Sequence, residues 1–212
     1  MMEYKRILAV GDVHGQYDKL VSLYSQLNFN PEEDLLIFLG DYIQGGDKPC
    51  EVLDWLMQHQ QKNTIFIRGN TDQMILDAYK HSSAGSALWI PREKRQKMAS
   101  VYYGFLASMP FSYEVIVENM SFFFCHAGID SALPLEEQDP EDLLIYNGEV
   151  VTSQYNGSAV LVVGHTQVCK LIPGRYTPLV RGKVIMMDTS AKRLEGKLSC
   201  MDVLTGQVWQ SS

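Results

Sequence analysis

Six polar residues in this chain share a placement that could do chemistry. Asp12 and His14 lie in Gly11-Asp12-Val13-His14-Gly15, directly after a hydrophobic run. Asp41 follows Gly40, Asn70 follows Gly69 and His165 follows Gly164, each at the end of another such run. His126 closes the run "FFFCHAG". Only five histidines occur, and three of them occupy these glycine-flanked positions. Carboxylate, amide and imidazole donors without thiolates form a mixed oxygen and nitrogen set, suited to manganese, iron or zinc. A carboxylate such as Asp41 can bridge two ions. Two metals about 3.5–4 Å apart can polarise a phosphoryl oxygen and make hydroxide available near neutral pH. The neighbouring glycines permit close backbone approach and unusual dihedrals. Taken singly, each residue has a plainer reading: a lone histidine at a strand end is usually structural, and Asp12 could cap the following helix. The repeated placement is what points to a metal. His59 and His81 fall outside the pattern and read as a helix-face residue and a solvated-loop residue.

The elements that must position these residues alternate through the first half. "RILAV" (Arg6–Val10), "LLIFLG" (Leu35–Gly40) and "TIFIRG" (Thr64–Gly69) read as buried strands. "QYDKLVSLYSQL" and "PCEVLDWLMQHQ" between them carry apolar residues at helical spacing. Such alternation implies a parallel sheet with crossover helices. A largely helical stretch is expected from Asp72 to Ala107. The second half holds strand-like runs, "EVIVE", "SFFFCHAG", "AVLVVGHT", "KVIMMDTS", "LSCMDVL" and "QVWQ", separated by turn residues. They imply mixed or antiparallel sheet, as a second sheet packed on the first. The expected fold class is therefore α/β, with residues 1–212 as one domain. In open α/β sheets ligands collect at the carboxyl ends of the strands, so the six residues can converge on one edge.

Composition narrows the function classes. The chain has 212 residues, 46% hydrophobic and 20% charged, with a formal net charge of −7, so no basic surface for nucleic acid is expected. No positively charged apolar leader and no run long enough to span a bilayer occur, which predicts a cytoplasmic protein. Cys50, Cys125, Cys169 and Cys200 are scattered, without a CxxC pair, and read as reduced thiols.

The ordered motifs GDVHG (Gly11–Gly15), GDYIQGG (Gly40–Gly46), GNTD (Gly69–Asp72), CHAG (Cys125–Gly128) and GHT (Gly164–Thr166) resemble those of the calcineurin-like metallophosphoesterases. They are most similar to those of the bacterial and bacteriophage serine/threonine protein phosphatases, whose patterns are GDxHG, GDxxDRG, GNH(E/D), HAG and GH(T). The resemblance implies a sandwich of two mixed β-sheets flanked by helices. It implies two divalent ions, manganese first, with iron or zinc as alternatives. Asp12 and His14 would hold one ion, Asn70, His126 and His165 the other, and Asp41 would bridge them, with a bridging hydroxide attacking phosphorus.

Departures from the pattern bear on chemistry. Thr71 stands where the family has the histidine that protonates the leaving group, and Gln44 where it has the aspartate orienting that histidine. Gly45 stands in place of a phosphate-binding arginine, and Gly148, within "IYNGE", in place of another. General acid catalysis is typically worth about 10²–10⁴-fold and matters most for poor leaving groups. The joint loss predicts a preference for anhydrides, diesters or activated esters over phosphoserine. A phosphorylated small molecule, a nucleotide or a phosphoprotein is the substrate class. A dinucleoside-polyphosphate hydrolase and a metal-binding pseudophosphatase are the alternatives. Asp41, Asn70 and Thr71 are the candidate catalytic residues, and Arg68 with Asn70 the candidate substrate-binding ones. Asp72 reads as a helix cap. "PREKRQK" (Pro91–Lys97), Arg175 and Arg181 could clamp an anion, although a solvated face is the plainer reading of Arg92–Lys97. Ser82–Pro91, with Trp89, reads as a lid-like segment.

Overall fold

A computed structural model of the protein describes residues 4–81, 101–146, 148 and 155–212. The lid-like segment with Trp89 and the basic run at Arg92–Lys97 lie outside the described residues, as do Asn147 and Glu149 of "IYNGE". Strand β1 (Arg6–Val10) is followed by α1 (Tyr17–Leu27), β2 (Asp34–Phe38), α2 (Pro49–Gln58), β3 (Thr64–Phe66) and α3 (Asn70–His81). Then come α4 (Tyr103–Ser108), β4 (Ser112–Val117), β5 (Met120–Cys125), α5 (Pro140–Ile145), β6 (Val160–Val163) and α6 (Val168–Leu171). Strands β7 (Leu179–Arg181), β8 (Val184–Met186), β9 (Ser199–Asp202) and β10 (Val208–Gln210) complete the chain. The expected helical stretch is thus helical at both described ends, and His81 is the last residue of α3 rather than a loop residue.

Two five-stranded sheets form the frame. One has the order β10-β9-β1-β2-β3, the other β4-β5-β6-β8-β7. β1, β2 and β3 run parallel, as do β5, β6 and β8. The side-chain period of two decides the layering. Ile7 and Ala9 of β1 point between the sheets, with Leu35 and Ile37 of β2 and with Phe122, Phe124 and Val162 of the second sheet. Leu8 and Val10 point the other way, under helices α1 and α2 with Leu20, Leu23, Val52 and Trp55. Phe123, Leu161, Val163 and Met186 fill the outer face of the second sheet. Each fully buried Leu, Ile or Phe contributes roughly 1.5–3 kcal/mol, so strands covered on both faces dominate the stability.

Two features of the topology differ from the sequence expectation. β9 and β10 do not belong to the second sheet; they return to the first, with β9 antiparallel to β1. β7 was not recognisable, being three residues after a proline, and it pairs only with β8. The result matters for the site. Six parallel strands from two sheets end at one rim, and each is followed by a loop carrying a polar residue.

Candidate metal centre

The loops at this rim are locked to one another before any side chain is considered. Val13 and His14 donate their amides to the Asp41 carbonyl at 3.2 and 2.7 Å, and Gly15 donates to Tyr42 at 2.7 Å. Asp72, fully buried at the start of α3, accepts from the amides of Asp41 (2.9 Å), Tyr42 (3.0 Å) and Gly69 (2.9 Å). The helix begins at Asn70, so Asp72 lies within its first turn and not at the expected capping position. It reaches back from that turn to the Gly69 amide, and the other two bonds tie the second motif loop to the third. Gly40 and Gly69 touch backbone to backbone: a Cβ on Gly40 would stand 2.6 Å from Gly69 Cα, and one on Gly69 would stand 2.2 Å from the Asp41 nitrogen. No side chain fits at either position. His14, Asp41 and His165 adopt left-handed backbone (φ 50°, 55° and 58°), which costs roughly 1–2 kcal/mol each in a non-glycine residue.

The six predicted residues converge. On one side, the Asn70 Oδ1 lies 2.9 Å from His126 Nε2 and 3.2 Å from His165 Nδ1, and His126 Nε2 lies 3.5 Å from Asp41 Oδ1. On the other side, His14 Nε2 lies 3.7 Å from Asp12 Oδ2 and 3.7 Å from Asp41 Oδ2. The two oxygens of Asp41 therefore face different donor groups. Hydrogen bonds fix the imidazole tautomers. His126 Nδ1 donates to the Leu39 carbonyl at 2.7 Å and His14 Nδ1 to the Gln44 carbonyl at 2.5 Å, which leaves each Nε2 lone pair aimed inward. Asp12 accepts from the His165 amide at 3.1 Å.

Electrostatics fit a bound cation. Burial lowers His14 and His165 to about 4, so both imidazoles are neutral at neutral pH and have lone pairs to give. Burial, then Asp188 and Asp41, raises Asp12 well above the usual carboxylate range. Burial alone would raise Asp41 too, but His126, His14 and the Thr71 donors together lower it. Crowded, buried carboxylates beside neutral imidazoles are repulsive without a positive charge between them. The donor set fits divalent cations.

Other sequence expectations come out differently. Arg68 does not face the site. Its guanidinium donates to Gln73 Oε1 (2.8 Å) and to the carbonyls of Ala107 (2.7 Å) and Met109 (3.0 Å), and it lies 4.5 Å over the Phe111 ring. A planar cation with five donors is well suited to such a structural junction, and the substrate-binding role assigned to Arg68 is corrected accordingly. Thr71 lines the cavity at this rim but donates both its amide (2.9 Å) and its hydroxyl (2.8 Å) to Asp41 Oδ1, so its hydroxyl is engaged in orienting a carboxylate. Arg175 donates to the Pro178 carbonyl at 2.7 Å. His59 stacks on Trp55 with ring centroids 3.8 Å apart.

Residues missed from sequence complete the surroundings. Asp188, two positions beyond β8, joins Asp12 and His14 as a buried group with ligand atoms within 4.8 Å of one another. Its signal was present: it has the same offset from its strand as Asp12 and His165, without the glycine. A cavity of about 320 Å³ opens over His14, Asp41, Asn70, Thr71 and His165, with Lys170 and Lys192 also lining it. Lys192 Nζ stands 3.2 Å from His14 Nε2, and the Lys192 chain runs 3.3 Å from where a Cβ on Gly45 would be.

Two mixed five-stranded sheets flanked by helices, with acidic, amide and imidazole donors at one rim, are the architecture of a metallophosphoesterase. A sequence model of the calcineurin-like phosphoesterases matches residues 5–182, and the chain belongs to that family. It is 28% identical over 179 residues to serine/threonine-protein phosphatase 2 of Escherichia coli (strain K12), covering 76% of this chain and 80% of that protein. It is 32% identical over 126 residues to the symmetrical bis(5'-nucleosyl)-tetraphosphatase of Vibrio cholerae, covering 57% of this chain and 43% of that protein. A solved structure described as a candidate diadenosine tetraphosphatase superposes with a TM-score of 0.71 at 20% identity, covering 97% of this chain and 92% of the other. A serine/threonine phosphatase from Saccharomyces cerevisiae superposes with a TM-score of 0.67 at 17% identity, over 95% of this chain and 74% of the other. The chain is a metal-dependent phosphoesterase. None of the described helices is long and apolar enough to cross a membrane.

Proposed function

We propose that this protein hydrolyses phosphoric anhydrides, diesters or activated esters in preference to alkyl phosphomonoesters, with residues 1–212 acting as one unit. Asp12 and His14 would hold one divalent ion, Asn70, His126 and His165 a second, with Asp41 between them. Manganese is the first choice, and iron or zinc fit the same donors. When bound, the ions supply Lewis-acid polarisation of the phosphoryl group and a water acidic enough to attack it near neutral pH. The chain's own part is to orient these donors. Leu39 and Gln44 fix the imidazole tautomers. Thr71 fixes the Asp41 carboxylate.

The observation that carries the substrate preference is the geometry of Thr71. A hydroxyl is far too weak an acid to replace imidazolium, and this one already donates to Asp41. Among the described residues, the only histidines that line the cavity are His14 and His165, both kept neutral by burial. An alkoxide leaving group therefore gains no proton from an imidazole here, while a phosphate or phenolate needs none. Lys170 and Lys192 supply cationic contacts for phosphoryl oxygens in a site without an arginine at positions 45 and 148. Relatives named as a protein phosphatase and as a dinucleoside tetraphosphatase support both a phosphoprotein and a nucleotide polyphosphate as substrates, and the missing acid favours the polyphosphate. Placement in the cytoplasm is supported by four cysteines that are all thiols.

A screen of manganese-loaded protein on phosphoserine peptide, aryl phosphate, diester and dinucleoside polyphosphate tests the reading. Anhydrides and aryl esters are expected to turn over fastest. Faster turnover of phosphoserine would reject the preference. Binding of metal and substrate without turnover of any member would identify a pseudophosphatase.

A further inference from the structure

The two halves of the rim are not equivalent, and the difference lies in Asp188. Its carboxylate is 1% exposed. One oxygen accepts from the Ser190 amide at 2.7 Å, while the other, Oδ2, is buried and has no hydrogen-bond partner. Leaving a buried carboxylate oxygen unpaired is costly, and native structures keep such an atom for a reason. The surroundings supply the reason. A ligand oxygen of Asp188 lies within 4.8 Å of ligand atoms on both Asp12 and His14, and all three residues are buried. Their separations suit three donors around a single cation, and among the described residues no side-chain cation fills the gap. Lys192 Nζ contacts His14 from the cavity side, and among the described residues it pairs with no carboxylate within 4.0 Å.

We infer that Asp188 is an additional carboxylate ligand to the ion held by Asp12 and His14, and that it tunes this half of the site to a hard cation, manganese or magnesium. The inference rests on the metal-centre reading above and deepens it. With Asp188, this half offers carboxylates from Asp12, Asp41 and Asp188 and one imidazole from His14. The other half offers Asp41, the Asn70 amide and the imidazoles of His126 and His165. Carboxylate oxygen suits magnesium and manganese, whereas imidazole suits zinc and iron. One rim therefore holds two sites of different chemical taste. Asp188 carries the contrast, because without it the two halves differ only by Asp12 against Asn70 and one histidine.

The test is metal binding to chelator-stripped protein, followed by calorimetry and by the manganese EPR signal, with zinc as competitor. Wild type is expected to bind two manganese ions, with zinc displacing one of them at far lower concentration than the other. Asp188→Asn keeps the shape and the bond from Ser190 but removes the charge. It is expected to weaken one manganese site by at least about 10–100-fold, the range seen when a group that merely orients a ligand is altered, and to leave the zinc-preferring site unchanged. Asp188→Glu retains the charge and is expected to retain two manganese ions, which separates ligation from a packing role. Asn70→Ala is expected to produce the mirror image, loss of the zinc-preferring site with manganese held. Unchanged manganese affinity in Asp188→Asn, or equal weakening of both sites, overturns the inference. Failure of wild type to bind any ion would instead overturn the metal-centre reading itself.

Discussion

Restoring the proton donor is the perturbation that bears most directly on substrate choice. Thr71 and Gln44 both line the cavity, and Gln44 uses its backbone carbonyl, not its side chain, to hold His14. Replacing Gln44→Asp together with Thr71→His therefore leaves the His14 tautomer untouched. The change removes the Thr71 hydroxyl bond to Asp41 Oδ1, while the Thr71 amide bond to the same oxygen is kept at 2.9 Å. Losing one hydrogen bond to a charged group costs about 1.5–3 kcal/mol, which a folded, metal-loaded protein can tolerate. Against it stands a general acid worth about 10²–10⁴-fold, or roughly 2.7–5.4 kcal/mol of barrier at 1.36 kcal/mol per tenfold. The gain should appear only where the leaving group needs a proton. The assay is kcat/KM of the manganese-loaded double variant on a phosphoserine peptide and on p-nitrophenyl phosphate. The peptide rate is expected to rise on the order of 10²-fold or more while the aryl rate changes by less than about tenfold. No selective rise for the peptide, in protein with wild-type metal content and a cooperative melt, would refute the reasoning.

Lys192→Met should weaken inhibition by inorganic phosphate by about tenfold, equivalent to about 1.4 kcal/mol, with metal content unchanged, as a product-inhibition series would register. Arg68→Met should lower stability by at least about 1.5–3 kcal/mol in denaturant unfolding, since its bonds to Gln73, Ala107 and Met109 all involve a charge. KM should stay within about twofold of wild type, because Arg68 does not line the cavity. Asp34 is buried, and the Arg6 guanidinium and the Asn30 amide outweigh that burial to hold its carboxyl below the usual range. A depressed folded-state value gives stability that is complete above about pH 4–5 and lost as pH falls through the lower folded value. Asp34→Asn should therefore lose stability at pH 7 and lose progressively less relative to wild type below pH 4, as paired urea titrations across pH would reveal.

The sequence revealed the rim better than the frame. Asp12, His14, Asp41, Asn70, His126 and His165 could be read because each sits at the end of an apolar run with a glycine adjacent or, for His126, two residues on, a local pattern visible in one dimension. Asp188 escaped because Thr189 and Ser190 follow it where a glycine would have drawn attention. The alternation of β1, α1, β2, α2 and β3 was legible from periodicity. The return of β9 and β10 to the first sheet was not, because apolar runs do not state which edge they pair with. Arg68 misled through proximity: it adjoins Gly69-Asn70 in sequence, yet it sits at the end of a strand whose geometry sends its side chain toward α4. Thr71 was noted for what it lacks, and only its 2.8 Å bond to Asp41 gave it a task of its own.

The contact between Gly40 and Gly69 has an evolutionary corollary. Descendants that abandoned hydrolysis would be free to drift at Asn70 or His126, yet any residue larger than hydrogen at either glycine would collide with the facing main chain. Half of what makes these motifs recognisable is therefore imposed by folding and would outlive catalysis. In distant kin, glycines retained without their imidazoles and carboxylates would be the fossil of an enzyme, and the ligands would testify to a metal still held.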